Sequence, residues 1–402
     1  MTDLDRPKLR PGLQFMAEAD DRVAIADQFR LGGPLAVSHA AFDVIRLFDG
    51  TRTLLNLQAE AMAMFDGEHV PLDTIQNLVT GLDEALFLES SRLDARLNLA
   101  DRPPVCVGSY DADPGKARRQ LKKLFTAHGG PGLPGEPGCR IGEGRLRAVL
   151  VPHMDYKRGG VTYGWGFKEL SERTDATLFV VVATSHYSAR RFTLTRQNFT
   201  SPFGRVETDQ GYIDRLVSHY GEGLFDDPFA HVAEHSIELE VVLMQYLFEK
   251  ARPFRIVPLL VGSFSDRVRA SERPEDADDI GRMVAALKRA EAECGETICY
   301  VISGDLAHIG PKFNDDLLED DTLLHSAQQD ELILGNLKAA DADAYFKTVA
   351  AESDIRRICG LPPTYLTLAA AAPARGRVLH YGRFVHPERY ESVSFASAVF
   401  EG

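Results

Sequence analysis

Short apolar runs alternate with amphipathic stretches along the chain from residue 148 onward. A run of about four to eight apolar residues predicts a buried strand, and apolar positions spaced by three and four predict a helix with one buried face. Strands that alternate with helices favour an α/β fold, with a mostly parallel or mixed central sheet flanked by helices. The predicted strands are 148–151, 178–183, 254–261, 298–302 and 392–400, and the predicted helices are 162–172, 236–250, 279–293 and 322–338.

The first 95 residues follow a different pattern and predict a small separate domain. Two short strand candidates come first, and then a helix that begins after Ser38 as its N-cap and runs through Phe48. Two further amphipathic segments follow, at 53–65 and 72–87. The predicted organisation is a domain at 1–95, a proline-bearing linker at 96–104 and an α/β domain at 105–402.

Composition narrows the class of protein. The 402 residues carry a formal net charge of −14, which argues against nucleic-acid binding through clustered Lys and Arg. No apolar run approaches the roughly 20 residues that span a bilayer, and the N-terminus lacks a signal-peptide core. We therefore expect a cytoplasmic protein with no membrane partner. The five cysteines include no CxxC pair, so neither a disulfide framework nor a zinc ribbon is indicated.

Polar side chains follow three of the predicted strands. His153 comes after the first strand, His186 after the second, and Asp305 and His308 after 298–302. Open α/β sheets bind their ligands at the carboxyl ends of their strands. A single histidine at a strand end is commonly a hydrogen-bonded structural residue, but several at one sheet edge favour a composite site. Together with Cys359 they offer imidazole, carboxylate and thiolate, which bind iron, zinc or copper.

Other catalytic motifs are absent or weak. The sequence contains no GxGxxG, P-loop or GxSxG motif in a suitable context. His231, Glu234 and His235 match the H-x-x-E-H pattern of one class of zinc protease. Ser236, however, is predicted to cap the next helix, which would leave His235 before a helix rather than within one. A protease is therefore not favoured.

The region from about residue 105 to 402 resembles the MEMO-like family, whose prokaryotic members include AmmeMemoRadiSam system protein B. The resemblance rests on a series of short motifs that occur in the family's order. These are Gly108-Ser109-Tyr110, Pro152-His153-Met154-Asp155-Tyr156, Thr184-Ser185-His186, Thr200-Ser201-Pro202-Phe203-Gly204, Glu234-His235-Ser236-Ile237-Glu238, Val257-Pro258-Leu259-Leu260-Val261-Gly262, Ser303-Gly304-Asp305-Leu306-Ala307-His308, Ile358-Cys359-Gly360 and Ser392-Val393-Ser394-Phe395.

The resemblance implies a fold similar to that of class III extradiol dioxygenases, which use non-haem iron(II). It implies that His153, His186 and Cys359 are the metal ligands. Asp305 and His308 would adjoin them as acid/base or supporting groups, and His235 would lie near the pocket and share the catalytic role. The sequence departs from the family at Asp155, where glycine is usual, so a further carboxylate could join the site. It also departs at Pro362-Pro363, where the family often has an arginine.

The resemblance also implies a function. The first expectation is a metal-binding protein, with iron(II) ahead of copper or zinc, in a redox or O2-related role beside radical SAM and AMMECR-type partners. One alternative is a non-catalytic metal-binding or peptide-docking scaffold. Another is an active extradiol-type dioxygenase. The order of elements in 1–95 resembles PqqD-like winged-helix domains, and this implies a peptide ligand; the alternative is a helical appendage that only docks or dimerises.

Overall fold

The computed structural model describes residues 4–18, 21–248 and 252–402. The chain divides into two compact units, an N-terminal unit (Met1–Leu99) and a C-terminal unit (Ala100–Gly402). Within the described residues, no helix is both long and apolar enough to cross a membrane.

The N-terminal unit combines a three-stranded antiparallel sheet with four helices. The elements are β1 (Leu13–Glu18), β2 (Arg22–Asp27), β3 (Leu35–Ser38), α1 (His39–Ile45), α2 (Leu54–Met64), α3 (Leu72–Glu84) and α4 (Ser91–Leu97), with strand order β1-β2-β3.

Side-chain caps define the starts of three of these helices, α1, α2 and α4. The Ser38 hydroxyl accepts a hydrogen bond from the backbone N–H of Ala41, as predicted, and Thr53 forms a capping box with Asn56. The helices end earlier than their apolar patterns suggest. The first stops at Ile45 rather than Phe48, and α3 stops before Leu86, whose φ of 61° is left-handed. The third strand was not predicted.

The C-terminal unit contains an eleven-stranded mixed sheet with helices on its faces, which confirms the predicted fold class. Its strands are β4 (Asp101–Arg102), β5 (Leu146–Val151), β6 (Leu178–Thr184), β7 (Phe192–Leu194), β8 (Asn198–Ser201), β9 (Gly204–Thr208), β10 (Arg255–Val261), β11 (Ile298–Ser303), β12 (His308–Ile309), β13 (Arg375–Val385) and β14 (Ser392–Glu401).

Ten α-helices and four short 3-10 helices are described in this unit. The α-helices are α5 (Pro114–Thr126), α6 (Tyr156–Gly159), α7 (Val161–Arg173), α8 (Gln210–Tyr220), α9 (Glu238–Phe248), α10 (Ser265–Ala270), α11 (Asp278–Cys294), α12 (Asp320–Ala339), α13 (Ala342–Ala351) and α14 (Leu361–Ala371), and the 3-10 helices are Ile141–Glu143, Glu222–Phe225, Pro274–Asp276 and Pro311–Phe313.

The centre of the sheet is parallel. The strands lie in the order β14-β5-β11-β6-β10-β9, in which β5, β11, β6 and β10 are mutually parallel and β14 is antiparallel to β5. Alternate residues of the central strands enter two different cores: Ala148 and Leu150 lie in one, Val149 and Val151 in the other. Because both faces are covered, these strands are continuous apolar runs, which is why the sequence pattern located them.

Three neighbouring strands end side by side at Val151, Ser303 and Thr184. Their carboxyl ends deliver His153, Asp305 and His186 to one edge of the sheet. The predicted helix 236–250 corresponds to α9, and residues 249–250 of that prediction lie outside the described residues.

One local expectation, the cap at Ser236, turns out differently. Ser236 does not cap α9, because its hydroxyl donates to the backbone carbonyl of Thr184 at 2.8 Å and the helix begins at Glu238. The segment 96–104 contains the end of α4 and the short strand β4, which pairs with β8. Arg102 in that strand is buried.

Candidate metal centre

His153 lies at the base of the site, and one of its ring nitrogens faces the hydroxyl of Ser303. Its Nδ1 is 3.4 Å from the hydroxyl of Ser303, and that hydroxyl donates its own proton to the carbonyl of Ser236 at 2.6 Å. The hydroxyl can therefore only accept from Nδ1–H, which leaves Nε2 with its lone pair free. The backbone N–H of His153 also donates to Asp305 Oδ1 at 3.1 Å.

Cys359 and Asp305 face this free nitrogen. Nε2 of His153 is 3.2 Å from Sγ of Cys359 and 3.7 Å from Oδ2 of Asp305. Close backbone packing fixes Cys359, since the N–H of Gly360 donates to the carbonyl of Asp305 at 2.9 Å. A Cβ at Gly360 would lie 2.6 Å from that carbonyl oxygen. Any residue can adopt the φ of Gly360, −74°, so backbone conformation does not demand a glycine there. The glycine is needed because a side chain would prevent the close approach of the two backbones.

His186 and His235 lie on the other side of His153. The ring centroids of His186 and His235 are 4.6 Å apart, and each is within 5.3 Å of the His153 ring. The His186 and His235 side chains are 32% and 35% exposed, whereas those of His153 and Asp305 are 3% and 2% exposed. The site is thus sealed at His153 and Asp305 and opens to solvent beside His186 and His235.

Two overlapping sets of donor atoms result. One consists of His153, His186 and His235, and the other of His153, Asp305 and Cys359; within each set the ligand atoms lie within 4.8 Å of one another. The ligand set implied by the family resemblance, His153 with His186 and Cys359, takes members from both. His235, expected only near the pocket, is in the first set.

Burial dominates the electrostatics of the metal-free site. It lowers the pKa of His153 well below the usual value and raises that of the Cys359 thiol well above it. It also raises the pKa of Asp305 to about 7. Burial disfavours the imidazolium of His186 as well, but the Glu234 carboxylate outweighs this and raises its pKa. Cys359, Asp305 and an imidazolium at His186 must lose a proton to bind a metal ion, whereas His153 is already neutral.

His308 lies outside both donor sets. It is in β12, and its Nδ1 lies 3.0 Å from the carbonyl of Leu306 and 3.1 Å from that of Arg357, so Nδ1 carries the proton. Burial lowers the pKa of His308 to about 4. Near neutral pH the ring is therefore neutral, with an unprotonated Nε2 that can accept a proton or a hydrogen bond.

Asp155 has a structural role. Its carboxylate accepts from the backbone N–H groups of Lys157 and Arg158, which caps α6, and it also pairs with the Arg158 guanidinium.

The H-x-x-E-H pattern formed by His231, Glu234 and His235 does not lie within a helix. The segment that carries His231 and Glu234 precedes α9, and His231 is buried away from the two donor sets.

The sequence motifs did not reveal the role of Glu234. It is buried and contacts both His186 and His235. The available signal was its position beside His235 in Glu-His-Ser-Ile-Glu, but the motif alone does not say which side chain the carboxylate meets.

The fold and this site define an α/β protein with an imidazole, thiol and carboxylate centre at the carboxyl edge of its sheet. The profile of the family described as Memo-like protein matches residues 102–399, and the chain belongs to this family. The family resemblance of the sequence is thereby confirmed.

Relatives extend over most of the chain. A MEMO1 family protein of Aquifex aeolicus is 22% identical over 98% of this chain and 100% of its own length. A MEMO1 family protein of Methanothermobacter thermautotrophicus is 28% identical over 67% of this chain and 87% of its own. A solved structure titled "Heterocyclase in complex with substrate and Cofactor" aligns with a TM-score of 0.18 and 13% identity over 61% of this chain and 34% of that one, which is too distant to support an argument.

Proposed function

We propose that the chain binds one metal ion, iron(II) before copper or zinc, and that as iron or copper this ion serves redox or O2-related chemistry. The observation that carries this proposal is the convergence of five metal-capable side chains, in two sets that share His153. His153, His186 and Cys359 would hold the ion, with His235 and Asp305 as adjoining donors.

The donor atoms of His153, Cys359 and Asp305 have spacings that fit such an ion. Two ligands of one tetrahedral or octahedral ion lie about 3–4 Å apart when the metal–ligand bonds are about 2.0–2.3 Å long. The separations of His153 Nε2 from Cys359 Sγ and from Asp305 Oδ2, 3.2 and 3.7 Å, fall in this range. Mixed imidazole, thiolate and carboxylate ligands suit iron, copper and zinc.

A bound iron or copper ion supplies a one-electron couple and open coordination positions. The side chains around it supply the rest. His186 and His235 border the exposed side, where a small molecule can enter. Asp305, with a pKa of about 7 in the metal-free chain, and neutral His308 can each hold or release a proton during a reaction.

One cysteine substitution tests the metal proposal. Cys359→Ala should lower the affinity for Fe(II) at least 10-fold in anaerobic titrations with metal analysis, because it removes the only thiolate donor of the two sets. Cys299→Ala is the matched control, since Cys299 is a buried thiol in the strand β11. Equal loss in both variants, or no loss in either, would contradict the proposal.

A second candidate is an extradiol-type dioxygenase, favoured by the Asp305 carboxylate beside His153. Such enzymes use two histidines and one carboxylate. Loss of Fe(II) binding in Asp305→Asn but not in Cys359→Ala, together with O2-dependent ring opening of catechol, would place it first. Metal binding without O2 uptake would favour the third possibility, a non-catalytic scaffold.

The partners are also proposed from the family resemblance. We infer that radical SAM and AMMECR-type proteins act with this chain and that the winged-helix-like N-terminal unit binds a peptide rather than DNA. Selection of a displayed random peptide library on the full chain tests the second point. Binding of duplex DNA at micromolar levels with a strong salt dependence would contradict it.

A further inference from the structure

Glu234 makes an unusual number of contacts with the metal-capable histidines. Its Oε2 accepts the backbone N–H of His186 at 2.7 Å. Its Oε1 lies 2.9 Å from Nδ1 of His186 and accepts the backbone N–H groups of His235 and Ser236 at 2.9 and 3.1 Å. Nδ1 of His235 is 3.2 Å from the same oxygen. One carboxylate thus touches both histidines on the open side of the site.

The negative charge of Glu234 is compensated by two imidazole side chains. The side chain is 1% exposed, and a buried carboxylate is costly unless it is paired. The ion-pair partners that the described part of the chain gives it are imidazoles, those of His186 and His235. An imidazole bound to a cation satisfies such a carboxylate, just as an imidazolium does.

We propose that Glu234 is the positioning residue of the metal centre. It accepts the Nδ1 proton of His186, fixes that tautomer, and leaves Nε2 as the metal-binding nitrogen. Through the backbone N–H groups of His235 and Ser236 it also holds the second exposed imidazole beside the first. This inference deepens the proposed function and rests on it wherever it concerns metal affinity.

The first test needs no metal. In metal-free protein labelled with ¹⁵N-histidine and kept at a pH above the raised pKa of His186, the ¹⁵N shifts of His186, assigned by comparison with His186→Ala, should show one tautomer with Nδ1–H and a bare Nε2. Glu234→Gln presents a carboxamide, whose N–H group cannot accept the backbone N–H of His186. The His186 signals should then shift toward a mixture of tautomers. An unchanged tautomer in Glu234→Gln would overturn the proposal.

The second test measures affinity for Co(II) and Fe(II). Loss of a group that orients a ligand typically weakens metal binding by roughly 10- to 100-fold, and this loss is expected for Glu234→Gln. Glu172→Gln is the control, since Glu172 is a buried carboxylate held by Gly135 and Arg140. It should bind metal as the wild type does. Glu234→Asp keeps the charge on a shorter side chain and should recover part of the affinity.

The outcomes separate the two proposals. A wild-type chain that binds neither ion sinks the proposed function, while the tautomer experiment still decides whether Glu234 positions His186. The wild type and Glu234→Gln could instead bind metal equally tightly, with the same His186 tautomer. That result would refute the positioning role of Glu234 but would not contradict the proposed function.

Discussion

Glu234 and His231 are buried three residues apart, in opposite electrostatic situations. Glu234 accepts several hydrogen bonds, and His186 is the main cause that keeps its pKa below the usual range despite burial. Among the described residues, neither ring nitrogen of His231 has a well-formed hydrogen-bond partner, although the backbone of Thr193 lies near. Burial, and then the charge of Arg102, lower the pKa of His231 to about 3. Glu234 therefore stays charged and His231 stays neutral, yet both pKa values lie below their usual range, so acid removes stability through each of them.

His231 should make the C-terminal unit sensitive to acid. The unfolded chain takes up a proton on this ring below about pH 6.5, whereas the folded chain does so only near pH 3. Stability from the neutral ring is therefore complete above pH 6.5 and falls as the pH drops, by at most about 1.4 kcal/mol per pH unit. We expect His231→Leu to flatten the slope of unfolding free energy against pH between 6 and 4.

Urea unfolding followed by the fluorescence of Trp165, the only tryptophan, measures this slope. Thr193→Val changes a buried neighbour without a titrating group, so it should shift stability and leave the slope unaltered. A His231→Leu slope equal to that of the wild type would refute the assignment.

Individual residues also show what sequence alone could supply. That His153, His186 and Asp305 lie together was predictable, because each follows an apolar strand and the strand ends meet at one sheet edge. The contacts of Glu234 and the capping role of Asp155 were not predictable, because a carboxylate beside a histidine is compatible with a ligand, a cap or a partner. These three roles differ in the direction of the side chain, and no periodic pattern in the sequence encodes that direction.

The elements around Cys359 depend on two glycines. Gly304 follows β11 and Gly360 precedes α14, and the two backbones touch: a Cβ on Gly304 would lie 2.6 Å from Cα of Gly360. The thiol reaches the strand edge because α14 begins against the turn after β11. The sequence indicated a glycine beside Cys359 but could not identify its packing partner, which is distant along the chain.

Gly360→Ala should therefore push α14 away from the strand edge. We expect a loss of about 1–3 kcal/mol in unfolding free energy, typical of overpacking, together with weaker Fe(II) binding. Gly335→Ala, on an exposed helical position where a Cβ meets nothing within 4 Å, is the control and should stabilise by about 0.5–1 kcal/mol. Wild-type metal affinity in Gly360→Ala would show that this contact does not place the thiol.

At the scale of the whole molecule, the start of the C-terminal unit can be located by one side chain. Arg102 donates to Glu238 Oε2 at 2.5 Å, to the carbonyl of His231 at 2.7 Å and to that of Glu234 at 2.6 Å. Pro103 and Pro104 led to the prediction of a linker at 96–104, because adjacent prolines are typical of exposed connecting segments. The sequence around Arg102 could not show that this side chain is buried, because its partners lie more than a hundred residues away along the chain.

Two fragments that differ by three residues test this arrangement. The fragment 100–402 should fold and bind metal as the full chain does. The fragment 103–402 lacks Arg102 and leaves Glu238 short of its buried counter-charge, which typically costs about 3–5 kcal/mol. Urea midpoints and Fe(II) titration compare the two. Equal stability would show that Arg102 is dispensable, and an insoluble 100–402 would show that the unit does not fold alone.

The donors of the proposed metal centre are widely separated along the chain: His153 and Cys359 are 206 positions apart. A ribosome-bound chain that has not yet reached Cys359 therefore lacks the one thiol of the two donor sets, although His153, His186 and His235 are already made. The proposed ion would enter from the exposed side that His186 and His235 border. A chelator would strip the ion from the same side, so a bulkier side chain there should slow uptake and release together.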